Sequence, residues 1–172
     1  QMCIRDRAYN IGGYFSPGTA PTRDVVYVDF ADITLNWGKS IIAHELQHLL
    51  HNAQDPYENL WIDEGNADVA IYLCFGPDST LVSHLNQWTE TPELSIRWWN
   101  QRFADYGAGF IFTMYLADHL GGGPAVRQLV QDSATGGVSV QNLALSPPSG
   151  SSGAIGRTMG EIFANFSVAA FL

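Results

Sequence analysis

Lysine is nearly missing from this chain. Lys39 stands alone, and Lys plus Arg total 8 against 17 Asp plus Glu, for a formal charge of −9. No basic face can be assembled from so few cations, which sets aside nucleic acid and anionic membrane surfaces as partners. Cysteine is scarce as well. Cys3 and Cys74 are the only two, too few for a disulfide framework or a thiolate zinc site. Cys74 lies in the apolar run IYLCFG and is expected to be a buried, reduced thiol. No stretch is long and apolar enough to span a bilayer. The opening QMCIRDRAYN has neither an initiator methionine nor a signal core, and the chain stops on the apolar run IFANFSVAAFL. Flanking sequence is therefore expected at both ends.

What is present fits one globular domain over residues 1–172. Hydrophobic residues make up 46%, enough for a real core in a chain of this length. Residues 1–24 read as an irregular lead-in, with GGYFSPGTAPTR rich in turn formers. VVYVDFADI (25–33) is dense in β-branched and aromatic residues and reads as a strand. Residues 38–172 read as mostly helical. Ile42, Leu46, Leu49, Leu50 and Ala53 recur at helical spacing over 38–52, and further helices are expected over 60–75, 80–88 and 107–120. Pro124 suits the first turn of another, SPPSGSSG is a loop, and TMGE (158–161) is a capping-box pattern before the last helix. The expected class is α+β, mainly α, with a small N-terminal β element.

The motif that carries chemistry is AHELQHLL, residues 43–50. At about 3.6 residues per turn, His44 and His48 project from one helix face and can converge on one tetrahedral ion. Glu45 points about 100° away around the axis, unable to ligate with them but able to reach a water on that ion. A third ligand is needed. The continuation with glycine at 51 and histidine at 54 is ruled out, since the chain has His51 and Gln54 there. His51 lies one turn too far along to join the pair.

WIDEGNADVAIYLCF supplies the alternative. It is apolar nearly all round, yet it holds Asp63, Glu64, Asn66 and Asp68 near its start. Buried carboxylates are costly unless compensated, and a cation with histidine N–H groups would compensate them. Glu64 is the expected third ligand. Asp68, four residues on and sharing its face, is expected to accept from the non-ligating nitrogen of a zinc histidine. Asp55, Glu58 and Asp63 remain alternatives to Glu64. His84 is expected to be exposed.

HELQH followed by WIDEGNAD resembles the gluzincin metallopeptidases, with HExxH and a downstream glutamate, and is most similar to the hyicolysin-type neutral zinc peptidases. DYGAGFIFTMYLADHLGG more weakly resembles the helix that begins with a catalytic tyrosine in the aminopeptidase N and leukotriene hydrolase relatives. The resemblance covers about residues 25–122. It implies a zincin-like domain binding Zn2+ through His44, His48 and Glu64, with Glu45 as general base and Tyr106 as transition-state donor; His119 is the backup donor. It also implies a protein or peptide substrate and, with the acidic composition, an extracellular or cell-envelope location. The fifteen residues between His48 and Glu64 make a shorter connection than in the best-known relatives, and the GxMEN element of aminopeptidases is absent. The rival readings are a non-catalytic module that keeps the zinc-site shell, and a purely structural helix that binds no metal.

Overall fold

The structure, a computed structural model, describes residues 2–7, 10–20, 23–35 and 37–171. Three strands come first. β1 (Met2–Arg7), β2 (Asn10–Ala20) and β3 (Arg23–Val28) form an antiparallel sheet with β2 in the centre. Phe15 of β2 pairs with Met2 on one side and Val26 on the other, and Tyr14 stacks on its cross-strand partner Tyr27. The expected irregular lead-in is therefore mostly sheet. Pro17 and Gly18, which argue against a central strand, fall where the register between β2 and β3 shifts, so the N–H that Pro17 lacks is not called for by the ladder. Residues 1, 8, 9, 21 and 22 of that lead-in lie outside the described residues.

The strand expected over 25–33 ends early. Asp29 Oδ1 accepts from the Ala31 N–H, and this cap turns the chain into α1 (Phe30–Ile33). Seven longer helices follow among the described residues: α2 (Gly38–Gln54), α3 (Leu60–Phe75), α4 (Ser79–Glu90), α5 (Phe103–Leu120), α6 (Gly123–Gln131), α7 (Gly137–Leu145) and α8 (Met159–Phe171). Asp78 caps α4 by accepting from Leu81 N–H, and α5 stops at Gly121 in the left-handed region. In the capping box before α8, the Thr158 and Glu161 side chains each accept from the other's backbone N–H. The molecule is thus α+β and mainly α, and none of its described helices is long and apolar enough to cross a membrane.

α5 is the hub. Its Phe112, Leu116 and Leu120 join Trp61, Leu129, Leu143, Ile162 and Phe166 in the larger apolar core. Its Phe110 and Ala117 join Val69, Ile71, Leu81 and Val126 in a smaller one. α3 and α5 cross where Gly65 meets Gly109. A Cβ at Gly65 would stand 2.6 Å from Thr113 Oγ1 and 2.7 Å from the Gly109 carbonyl oxygen.

Burial runs against the apolar pattern in two helices, and in the second it reverses the expectation for Cys74. α2 packs with its polar side inward: His44, Glu45, His48 and His51 are buried, while Leu46 and Leu50 are 45% and 58% exposed. α3 is buried from Trp61 to Val69 and again at Ile71 but not in its last turn, so Leu73 is 62% exposed and Cys74 faces solvent instead of the core.

Candidate metal centre

Three elements build the site. α2 offers His44, Glu45 and His48, α3 offers Asp63, Glu64 and Asp68, and α4 delivers His84, all buried. α2 lies beside both β2 and α3, so the charges on its inner face meet the acidic first turns of α3.

The Nε2 atoms of both histidines aim at one oxygen. His44 Nε2 is 3.0 Å and His48 Nε2 3.4 Å from Glu64 Oε2. A tetrahedral ion with bonds of about 2.0–2.1 Å has ligand-to-ligand edges of about 3.3 Å, so these separations fit such an ion with little rearrangement. His44, His48 and Glu64 form a buried group that could hold a metal ion.

The opposite ring nitrogens face acceptors as well. His44 Nδ1 donates to Asp68 Oδ1 at 3.0 Å, and His48 Nδ1 donates to Asp63 Oδ2 at 3.0 Å. A neutral imidazole has one N–H, yet His44 meets carboxylates on both edges. It carries a second proton there, or a cation takes that proton's place beside Glu64. His48 Nε2 has no hydrogen-bond partner, which leaves a buried lone pair suited to the same ion.

With protons as the only counter-charges, the groups hold one another's ionisation. Burial alone would lower His44, but hydrogen bonds to Asp68 and Glu64 outweigh it and hold the imidazole at about 9. Burial likewise opposes the charge on His48, and the Asp63 and Glu64 carboxylates push it well above the usual histidine range. Burial would raise Glu64, Asp63 and Asp68; the facing histidines reverse that and lower all three, Asp68 to about 2.

Glu45 is the exception. It is 0% exposed, and neither carboxylate oxygen has a side-chain partner among the described residues; the Phe15 backbone of β2 lies near enough to lower its pKa a little. Burial raises its pKa, while the charges of His44 and His48 pull it back only in part. β2 lies close above it: a Cβ at Gly13 would press on Ile41 and stand 3.3 Å from Glu45 Cγ.

The other sequence expectations divide. Tyr106 is buried in the first turn of α5, its ring 6.1 Å from His44 and 4.9 Å from His84. His119 ends the same helix thirteen residues later, about 20 Å along the axis, where its Nδ1 bonds the Tyr115 carbonyl. It is not brought to the site. Asp55 accepts from Tyr57 N–H, and Glu58 accepts from Gly136 N–H and Ser139 Oγ, so both serve loop and helix ends. His51 is buried outside the three-ligand group, its Nδ1 2.8 Å from Asp63 Oδ1 without hydrogen-bond alignment.

His84 overturns its expectation. It is 1% exposed and its Nδ1 lies 2.6 Å from Asp68 Oδ2. The signal was present in the sequence: Leu81, His84, Leu85 and Trp88 share one helical stripe. Asp63 was read only as an alternative ligand, and its bond to His48 gives it a different place.

Comparison with protein-family models and with curated proteins finds no match. Geometry and chemistry alone bear on what the site does.

Proposed function

We propose that the chain is a zinc-dependent peptidase of gluzincin type, hydrolysing peptide bonds in protein or peptide substrates. One observation carries this reading: a buried carboxylate without a side-chain partner among the described residues, Glu45, sits on the helix whose His44 and His48 converge with Glu64 on one point. An ion pair or a cap would use those oxygens; a proton acceptor needs them uncommitted.

The donor set of two imidazoles and a carboxylate suits zinc and leaves a fourth position for a reacting group. When bound there, zinc lowers the pKa of water towards about 7 and polarises a carbonyl oxygen. Glu45 accepts the proton of the attacking water and returns it to the leaving amine. Its raised pKa brings it nearer the value such a shuttle needs. Tyr106 is assigned to hydrogen-bond the developing oxyanion, a role worth a few kcal/mol per donor. β3, at the sheet edge, is the element along which an extended substrate would pair.

A second reading has its own support. His44, Glu45 and His48 are all 0% exposed, and β2 lies over Glu45, as a closed structural metal site would have it. Catalysis then requires β2 to move aside. Incubation with a denatured protein, with and without chelator, separates the two. Chelator-sensitive cleavage by the parent, abolished in Glu45→Gln with zinc retained, is the expected result. Zinc binding without cleavage favours the structural site, and cleavage by Glu45→Gln close to the parent rate removes Glu45 as the base.

A further inference from the structure

Asp68 uses both of its oxygens. Oδ1 accepts from His44 Nδ1 at 3.0 Å, and Oδ2 accepts from His84 Nδ1 at 2.6 Å, with all three side chains buried. A carboxylate held at one oxygen can still rotate about its Cβ–Cγ bond; held at both by rings on different helices, it cannot. We infer that His84 is a positioning residue for the metal centre, fixing Asp68 from α4 so that His44 presents Nε2 towards Glu64. The inference rests on the metal-binding half of the proposed function and is independent of whether the site cleaves peptides.

Several features make His84 suited to this and not to general packing. An ionised carboxylate only accepts, so the ring must present Nδ1–H to Asp68, which fixes its orientation. The ring is gripped between Phe103 and Tyr106, with centroids at 5.2 and 4.9 Å. Its backbone lies against Gly107 of α5, where any Cβ would strike the His84 carbonyl. Position, tilt and tautomer of the ring are thus each set by a different neighbour. The same face of α4 lines a cleft of about 190 Å³ with Trp37, Ile41, Ser83 and Phe103, so His84 also links that cleft to the ligand shell.

Groups behind metal ligands are typically worth 10–100-fold in metal affinity. The test measures zinc affinity by competition with a chromophoric chelator, on the parent, His84→Phe and His84→Asn. The Phe variant keeps a ring and loses the donor; the Asn amide places an N–H near the position of Nδ1. The expected result is roughly 10–100-fold weaker zinc binding in His84→Phe, with most of the loss recovered in His84→Asn. In an Asp68→Asn background, His84→Phe should add no further loss, because its effect passes through Asp68. Parent-like affinity in folded His84→Phe overturns the inference, as does Asn binding no better than Phe. Should the Phe variant not fold, His84→Gln replaces it: its amide reaches one bond too far, and affinity equal to that of His84→Asn overturns the inference. A parent that binds no divalent ion removes the metal reading itself, and this inference with it.

Discussion

At the scale of single residues, the site is a matter of which polar atoms have partners. His44 and Asp68 are committed on both sides, His48 and Asp63 on one, and Glu45 to no side chain. Glu64 has the most exacting role, since both Nε2 atoms point to its Oε2. Glu64→Ala removes the carboxylate that faces both nitrogens, and elemental analysis of the purified variant should find bound zinc lost. Unchanged stoichiometry would move the third ligand to Asp63, because Asp55 and Glu58 are occupied elsewhere. HExxH and the Glu64–Asp68 spacing were legible because helical geometry alone relates those positions. The burial of His84 could be read from its stripe, but its bond to Asp68 could not: that partner lies sixteen residues away on another helix, and only the fold sets that distance.

At the scale of elements, α3, α5 and α8 follow from apolar density, glycine stops and capping patterns, whereas α2 does not follow from its apolar pattern. Periodicity finds that α2 is a helix but not which of its faces is buried, because the rule that apolar faces point inward presumes an apolar neighbour. Here the neighbour is the acidic start of α3. β1 and β2 were missed for a different reason: Gly and Pro in GGYFSPG carry a turn signal, but they serve a close approach to α2 and a register shift. α7, between two glycine-rich segments, has no strong periodic signal. The crossing of α3 over α5 depends on Gly65 with Gly109, and it places the Glu64 and Asp68 face against α2. Gly65→Ala should cost about 1–3 kcal/mol by overpacking, seen as a thermal midpoint lower by several degrees. A midpoint within one degree of the parent would mean the two helices separate freely.

At the scale of the whole molecule, the buried charges tie stability to pH and to metal. His44 is held at about 9 against an ordinary 6.5, so with protons alone its contribution is complete below 6.5 and is lost as pH rises through 9. Asp68, at about 2 against 3.8, contributes above 3.8 and loses that as pH falls through 2. Chelated protein should therefore lose stability between pH 6.5 and 9. On the proposed function, zinc would replace the second proton, so its stabilisation should widen over that interval, reaching about 2.7 kcal/mol at a free concentration a hundredfold above Kd. Thermal unfolding at pH 6.5 and 9, with and without zinc, measures both slopes; an increment that shrinks as pH rises would contradict this linkage.

The inward-facing charges of α2 have one more consequence. A segment whose leucines look outward and whose acids and imidazoles look inward gains little from hydrophobic collapse, so it cannot act as the seed of folding. The apolar scaffold around α5 is therefore expected to assemble first, with α2 docking on it later.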